Sequence, residues 1–230
     1  MIKKCLTIAG SDSSGGAGVQ ADLKNFSALG TYGMSCISAL TAQNTQGVDK
    51  VENVSQAMIR GQLAAIYSDI VPDAVKTGML SCRETVETVA GFLESHNQAP
   101  LVVDPVMVAT TGERLLDEEA IISYKERLIP LATLVTPNIP EAEVLSGMAI
   151  HTEEDMKQAA EKIMGMGTKA VLIKGGHKVH DATDFLYDGE TFHVFRGEKI
   201  DTDNTHGTGC TLYSALAVYL AQGYSVVRAA

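Results

Sequence analysis

The chain has few basic residues: 18 lysines and arginines stand against 28 aspartates and glutamates, which gives its 230 residues a formal net charge of −10. A surface this acidic disfavours binding to nucleic acid or to anionic membranes. The sequence also has no apolar run of membrane-spanning length, so we expect no membrane contact. An anionic substrate would need a local positive site on such a protein.

Cysteine is scarce, with four residues at positions 5, 36, 82 and 210. They are widely separated, and no pair has the Cys-x-x-Cys spacing of a zinc or redox motif, so we expect no zinc site. No charged-then-apolar leader opens the sequence. We therefore expect free thiols in a protein of the reducing cytoplasm.

Apolar runs of strand length alternate with segments of helical periodicity from end to end of the chain. The apolar runs are nearly continuous, which is typical of strands buried on both faces of a parallel sheet. The length and the lack of linkers or repeats indicate one domain over residues 1–230. We predict a three-layer α/β fold with a mostly parallel central sheet and helices on both faces.

Turn and capping signals define several element ends. Asp188-Gly189 separates two short strands and predicts a hairpin, and Ser81 with Glu84 predicts a capping box. The predicted strands cover 5–9, 34–40, 74–79, 100–106, 132–136, 170–174, 184–188 and 191–195. The predicted helices cover 19–26, 55–68, 81–94, 153–164 and 212–220, with others beginning at Asp117 and at Ser225.

Polar residues and glycines follow most of the predicted strands. The carboxyl ends of parallel strands line one crevice, where ligands bind in folds of this kind. We expect the following residues to meet there: Gly10, Gln43, Met79, Asp104, Asn138, Glu141 and Lys174.

A glycine-rich turn, Gly207-Thr208-Gly209-Cys210, leads into the apolar helix 212–220. Backbone N–H groups without intrahelical partners and the helix dipole make such a turn an anion site. It would stabilise a phosphoryl group in transfer. Cys210 lies at its mouth, where a lowered thiol pKa is expected. The alternative is an ordinary helix N-terminus with a buried cysteine.

Two carboxylates, Asp104 and Glu141, follow strands on the same predicted edge, with Asn138 beside the second. This arrangement suits a magnesium ion that carries nucleotide phosphates, although either acid could instead be a helix cap or a solvated loop residue. Lys174 could neutralise charge on the transferred phosphate, or be a surface lysine.

Other signals are weaker. The pattern Gly16-x-Gly18-x-x-Ala21 fits a dinucleotide fingerprint formally, but the acidic residue expected after the next strand is missing. His177, His180 and His206 have no metal-ligand spacing, and we treat them as loop residues. Residues 109–113 are small and polar, and we expect a flap that closes over ligands.

Eight short motifs follow one another along the chain: Thr7–Asp12 (TIAGSD), Gly15–Asp22 (GGAGVQAD), Thr41–Thr45 (TAQNT), Lys76–Leu80 (KTGML), Val103–Met107 (VDPVM), Thr136–Asn138 (TPN), Lys174–His177 (KGGH) and Gly207–Cys210 (GTGC). In this order they resemble the hydroxymethylpyrimidine/phosphomethylpyrimidine kinases of thiamine biosynthesis, which belong to the ribokinase-like superfamily. The resemblance covers essentially the whole chain.

The resemblance implies two phosphorylations of one pyrimidine, which use ATP and Mg²⁺: first of its hydroxymethyl group, then of the monophosphate. It implies no nucleic-acid partner, and we expect a homodimer. The resemblance also implies a role for individual residues. The anion hole would consist of Gly207, Thr208, Gly209 and Cys210, with Cys210 as general base, and the pyrimidine pocket would be lined by Gly10, Asp22, Gln43, Met79 and Val106. The phosphates would be faced by Lys174 and Asn138, and magnesium would be held by Asp104 and Glu141.

Gln43 carries the expected substrate choice. Its amide offers a donor and an acceptor that match the ring nitrogen and exocyclic amine of an aminopyrimidine, an edge that pyridoxal does not have. The alternatives are a pyridoxal kinase of the same superfamily and a non-catalytic vitamin- or nucleotide-binding protein. Members of the family usually continue beyond the point that corresponds to Ala230, so we expect either a truncated C-terminus or an open adenine site.

Overall fold

The computed structural model describes residues 1–107, 116, 118–175, 182–197, 202 and 205–230. Its strands are β1 (Lys4–Asp12), β2 (Tyr32–Gln43), β3 (Val48–Asn53), β4 (Ala74–Thr77), β5 (Leu101–Val103), β6 (Leu134–Val135), β7 (Val171–Ile173), β8 (Ala182–Tyr187) and β9 (Phe192–Gly197). Its helices are α1 (Gly18–Ala28), α2 (Gln56–Tyr67), α3 (Arg83–His96), α4 (Glu118–Ser123), α5 (Ile139–Ser146), α6 (Glu153–Met164), α7 (Thr208–Ala221) and α8 (Val226–Ala229). One π turn (Tyr124–Leu128) and one 3₁₀ turn (Ile129–Leu131) follow α4.

The strands form one sheet in the order β3-β2-β1-β4-β5-β6-β7-β8-β9. From β2 to β7 every neighbouring pair is parallel, and β3, β8 and β9 add antiparallel edges. The predicted mostly parallel sheet is therefore confirmed. Its strand order changes direction at β1, because β2 lies on one side of β1 and β4 on the other, which is where such sheets open a crevice.

Both faces of the sheet are covered by helices. Strand side chains alternate between faces: Leu101 and Val103 of β5 pack in a core with α2 to α6, whereas Val102 packs with α1, α7 and α8. This double burial explains why the central strands are almost continuously apolar. Within the described ranges, every helix falls short of the length and apolarity that a membrane crossing requires.

Element ends differ from the sequence predictions where tertiary contacts decide them. Helix α6 has the predicted bounds, because Thr152 caps it through a capping box with Asp155. The capping box expected at Ser81 is wrong: α3 begins after Cys82, whose side chain makes no capping bond, and Ser81 Oγ donates to Asn53 instead.

Two elements, β3 and α5, were not predicted. Strand β3 is polar and exposed on nearly every residue, so it carries no apolar pattern. Helix α5 is short, but the spacing of Asn138 and Glu141 matches the capping box that the structure contains. Asp117, the predicted start of α4, lies outside the described residues, and α4 is described from Glu118.

Candidate active site

A cavity of about 840 Å³ lies at the carboxyl ends of the parallel strands, with the N-terminus of α7 at its side. Segments that are far apart in the sequence meet there because parallel strands end at the same edge. The cavity is lined by the following residues expected from the sequence: Gly10, Gln43, Met79, Asp104, Val106, Asn138, Glu141, Lys174, Gly207, Thr208, Gly209 and Cys210.

Asp22 does not line the cavity, contrary to expectation. It lies on α1, fully buried, with its carboxylate 2.9 and 3.2 Å from the Lys76 ammonium and 2.6 Å from Thr7 Oγ1. Lys76 is the residue of this pair that lines the cavity. The sequence signal that could have identified Lys76 was its position inside an apolar strand, because a lysine that is buried needs a charged partner.

Lys76 is fully buried and charged. Burial alone would lower its pKa, but Asp22 outweighs that effect, with smaller contributions from Cys210 and Asp104, and the pKa is raised. The cavity floor thus contains a fixed positive charge that an opposite charge on α1 balances.

Asp104 and Glu141 are both buried, and both are harder to ionise than ordinary carboxyl groups. Burial raises the pKa of Asp104 to about 6, although Lys76 and Lys174 oppose the shift. Burial and the nearby charge of Asp104 raise the pKa of Glu141 to about 8. Two acids with raised pKa values at one site are what a bound cation would stabilise in their ionised form.

Glu141 and Asn138 also cap helix α5. Asn138 Oδ1 accepts from the Glu141 N–H at 2.9 Å, and Glu141 Oε2 accepts from the Asn138 N–H at 2.9 Å. The helix-cap alternative therefore holds for both residues, yet both line the cavity. Among the described residues, no three His, Cys, Asp or Glu side chains gather as a complete metal site.

Gly207 begins the turn that leads into α7. It has φ +79°, and a Cβ atom here would overlap the Gly16 carbonyl oxygen, so only glycine fits. Helix α7 starts at Thr208, earlier than its apolar periodicity predicts, which places Thr208, Gly209 and Cys210 in its first turn and on the cavity wall.

The thiol of Cys210 is less acidic than expected from its position in the chain. Burial raises its pKa, and Asp22 and Asp104 add to the shift, while Lys76 and a hydrogen bond from the Gly18 N–H oppose it. The expected lowered pKa is therefore wrong for the free protein, because desolvation exceeds the favourable effects of the helix terminus and the lysine. The raised pKa favours the thiol form of Cys210 over the thiolate at neutral pH.

Lys174 follows β7 and lies over the ring of Tyr213 on α7, with its ammonium 4.6 Å from the ring centroid. Both residues line the cavity, so Lys174 is not a surface lysine. The buried Tyr213 hydroxyl has no hydrogen-bond partner within the described residues. No sequence signal distinguished this tyrosine from an ordinary apolar helix position.

Gln43 ends β2 on the opposite wall. Its amide oxygen accepts from Thr41 Oγ1 at 3.1 Å, and its backbone is held by Ser13, whose Oγ accepts from the Gln43 N–H and donates to the Gln43 carbonyl. Met79 packs on Gly10, where a Cβ atom would come within 2.7 Å of the Met79 methyl carbon. The Gln43 side chain is partly buried.

His206 was set aside as a loop residue, but it lines the cavity with its Nε2 2.8 Å from Asp12 Oδ2. Burial alone would raise the pKa of Asp12; hydrogen bonds from His206, Ser14 and Ala17 outweigh it, and the pKa is lowered. The position of His206 directly before Gly207 was the sequence signal that could have placed it in the site. His177, His180 and the expected flap 109–113 lie outside the described residues.

Comparisons with known proteins agree on one family. The family model described as phosphomethylpyrimidine kinase matches residues 12–230. A hydroxymethylpyrimidine/phosphomethylpyrimidine kinase of Rhizobium meliloti is 51% identical, with 100% of this chain and 86% of the relative covered. The corresponding Bacillus subtilis protein is 48% identical, with 99% and 85% covered. The thiamine biosynthesis bifunctional protein ThiED of Geobacter sulfurreducens is 54% identical over 95% of the chain, which spans only 45% of that longer protein.

Solved structures with this fold include a phosphomethylpyrimidine kinase and pyridoxal kinases. Phosphomethylpyrimidine kinase from Clostridium difficile is 49% identical with a TM-score of 0.89, covering 99% of this chain and 94% of that one. Pyridoxal kinase from B. subtilis, solved as an ADP complex, is 42% identical with a TM-score of 0.91, covering 100% and 87%. Pyridoxal kinase from Staphylococcus aureus, solved with AMP-PCP and pyridoxal, is 39% identical with a TM-score of 0.90, covering 100% and 84%. With its sequence, sheet topology and cavity all in agreement, the chain belongs to the phosphomethylpyrimidine kinase family.

Proposed function

We propose that the protein transfers a phosphoryl group from ATP to 4-amino-5-hydroxymethyl-2-methylpyrimidine, and then a second one to the resulting monophosphate, in thiamine biosynthesis. One observation carries the proposal: a single cavity has an amide on one wall, at Gln43, and an anion site on the other, at Gly207–Cys210. The substrate has matching ends, a hydrogen-bonding ring and a hydroxymethyl group that receives phosphate.

The ring end would lie against Gln43, Gly10, Met79 and Val106. The Gln43 amide can pair with the ring nitrogen and the exocyclic amine at once, since it has both a donor and an acceptor. Thr41 supports this by orienting the amide oxygen. The apolar side chains of Met79 and Val106 suit the flat faces and the methyl group of the pyrimidine.

The phosphate end would lie at the start of α7. In the first step the substrate hydroxyl oxygen attacks the γ-phosphorus of ATP, its proton passes to the Cys210 thiolate, and the bond to the ADP oxygen breaks. The N–H groups of the Gly207–Cys210 turn stabilise charge on the transferred group, and Lys174 and Asn138 face the phosphates. Lys76 and the Gly18 N–H favour the thiolate form of Cys210.

Asp104 and Glu141 would hold magnesium. Two buried carboxylates with raised pKa values fit a hard divalent cation that takes its other ligands from water and phosphate oxygens. Magnesium held there would supply positive charge against the negative charge of the nucleotide phosphates. The chain's own contribution is to place two acidic oxygens beside the anion site.

We also propose that the protein is a homodimer of the cytoplasm. Exposed apolar side chains at Leu40 of β2 and Val51 of β3 support an interface at this edge of the sheet, and four unpaired cysteines suit a reducing compartment. Light scattering would give twice the 24.4 kDa of one chain if the dimer forms.

Pyridoxal phosphorylation is the second candidate, because the pyridoxal kinase structures superpose on this chain as well as the phosphomethylpyrimidine kinase does. A coupled ADP-release assay with hydroxymethylpyrimidine, its monophosphate and pyridoxal separates the candidates. We expect turnover with both pyrimidines and slower turnover with pyridoxal. Turnover with pyridoxal alone would favour the second candidate, and AMP-PCP binding without any turnover would indicate a binding protein.

A further inference from the structure

The segment Ser11–Gly18, called the glycine loop from here on, contacts both walls of the cavity. Near its start, Ser13 Oγ makes two hydrogen bonds to the backbone of Gln43, at 2.7 and 2.9 Å. At its end, Gly18 lines the cavity together with Cys210, and its N–H partly opposes the rise in the pKa of the Cys210 thiol. The loop therefore links the residue that would bind the ring to the residue that would take the proton.

Asp12 holds the glycine loop in shape. Its carboxylate is 2% exposed and accepts hydrogen bonds from three backbone N–H groups, those of Ser14 at 2.8 Å, Gly16 at 3.1 Å and Ala17 at 2.8 Å. Bonds of this kind to an ionised acceptor are stronger than neutral ones. The loop conformation thus depends on one buried charge.

His206 joins the anion-site turn to that same carboxylate. Its Nε2 donates to Asp12 Oδ2 at 2.8 Å, and its ring packs over Gly16, where a Cβ atom would overlap ring atoms. The next residue, Gly207, lies against the Gly16 carbonyl. The backbones of Gly16 and Gly207 are therefore in direct contact, and neither residue has a side chain that could hold the two segments together. The His206–Asp12 hydrogen bond provides a side-chain contact between them.

We infer that the Asp12–His206 pair is a positioning pair: it fixes the anion-site turn 205–210 against the glycine loop, so that the turn's N–H groups and the Cys210 sulfur face the hydroxyl of a ring held at Gln43. The inference rests on the proposed function for the identity of that hydroxyl. Displacement of catalytic groups by about 1 Å can cost up to about a hundredfold in rate, so a single hydrogen bond at this position has a large effect on turnover.

The test uses three variants of the full chain. His206→Phe keeps the ring over Gly16 but removes the donor, and His206→Gln returns an N–H at similar reach. His193→Phe is the matched control, because His193 makes the same Nε2–Oδ2 contact at 2.8 Å with Asp188, on the β8–β9 hairpin away from the cavity. Each variant is assayed for kcat and KM with hydroxymethylpyrimidine, and for backbone hydrogen exchange.

For His206→Phe we expect kcat to fall by about tenfold or more, with the KM for the pyrimidine within about twofold of the parent value. His206→Gln should recover most of the loss, and His193→Phe should match the parent. Amide exchange should accelerate in both residues 12–18 and residues 205–211 of His206→Phe only. Parent kcat in His206→Phe would overturn the inference, as would equal losses in the Phe and Gln variants, or a loss confined to KM.

The exchange measurement separates this inference from the proposed function. If the parent protein does not phosphorylate the pyrimidine, the proposed function fails, and the exchange data alone decide whether the pair couples the two segments. Faster exchange in both segments would support the pair even then. Exchange that changes only near residue 206, with 12–18 unaffected, would contradict it whatever the activity.

Discussion

Behind the cavity wall formed by β1, β2 and β4, the buried carboxylate of Asp22 on α1 lies 2.9 Å from the ammonium of Lys76, which lines that wall. On the wall formed by β5, β6 and β7, the buried carboxyl groups of Asp104 and Glu141 keep pKa values raised to about 6 and about 8, because the lysines that reach them do not offset burial. Asp22 and Lys76 form an ion pair at the first wall, whereas no ion pair among the described residues includes Asp104 or Glu141 of the second. We call them the balanced wall and the acidic wall.

This difference indicates which wall binds the pyrimidine ring and which wall binds the cation of the nucleotide. A wall on which Lys76 is already paired with Asp22, and which carries the neutral amide of Gln43, suits an uncharged ring. An unbalanced acidic pair beside an anion site suits a cation that arrives with the nucleotide. Cys210 lies between the walls, and charges at both affect the pKa of its thiol. Burial raises this pKa, Lys76 lowers it, and Asp22 and Asp104 raise it further.

The largest effect is expected at Cys210. Loss of a general base lowers rates by about 10²–10⁴-fold, so Cys210→Ala should lower kcat for hydroxymethylpyrimidine by that factor. The second step should be affected much less, because the monophosphate is mostly ionised at neutral pH and gives up no hydroxyl proton. Separate assays of the two substrates measure the difference.

The pH dependence of the first step follows from the raised pKa of Cys210. The active form is the thiolate, so kcat/KM should rise with pH through neutrality rather than level off. Equal losses for both substrates in Cys210→Ala, or a rate that falls from pH 7 to 9, would show that the thiol does not act as the base.

Lys76→Met removes the ion pair of the balanced wall and leaves the Asp22 carboxylate buried without the lysine. Removing one member of a buried ion pair costs about 3–5 kcal/mol, and urea unfolding would measure this loss in the free energy of unfolding. The double variant Lys76→Met with Asp22→Leu should regain most of it. Lys50→Met, which removes an exposed ion pair with Glu52, should change stability by less than about 1 kcal/mol. A single variant as stable as the parent would show that the pair is not structural.

Gln43→Met tests whether the amide on the balanced wall determines substrate choice. A lost pair of hydrogen bonds and a mismatched polar edge cost about 1–3 kcal/mol, or about tenfold to a hundredfold in kcat/KM for hydroxymethylpyrimidine. Pyridoxal, which lacks the amine-plus-nitrogen edge, should be spared or improved. Equal losses for both substrates, or no loss for either, would mean that the amide does not bind the ring.

The last effect concerns the acidic wall and is a dependence of stability on pH. The folded-state pKa of Glu141, about 8, lies above its ordinary value of 4.5, so the folded protein holds that proton more tightly than the unfolded chain. The corresponding stability is complete below about pH 4.5 and is lost as pH rises through about 8. Glu141→Gln, which keeps the capping box, should remove most of this decline, because glutamine does not titrate. Magnesium should stabilise the parent more than the variant at pH 8, and Glu161→Gln, at an exposed site, is the control. Parallel pH curves for parent and variant would contradict the raised pKa.

Sequence patterns predicted the sheet and most of the cavity lining, because both depend on local signals that repeat. Apolar runs identify buried strands, and the residues after parallel strands must meet at one edge; Gln43, Asp104 and Lys174 were found in this way. The bounds of α6 were likewise predictable, since its cap and its apolar face lie within one segment.

Electrostatic properties of the site could not be predicted, because they arise from residues distant in sequence. Asp22 meets Lys76 across 54 positions, so its place behind the cavity wall appears only in three dimensions. The pKa of Cys210 depends on burial by the surrounding segments rather than on its own helix terminus. His206 became part of the site only through Asp12, 194 positions earlier.

In the proposed function, one cavity phosphorylates the same pyrimidine twice. The most direct test incubates the purified protein with ATP, magnesium and hydroxymethylpyrimidine and follows the products by mass spectrometry over time. We predict that the monophosphate appears first and is then converted to the diphosphate, with two ADP released per pyrimidine. Absence of any phosphorylated pyrimidine, or a reaction that stops at the monophosphate with ATP still present, would contradict the claim.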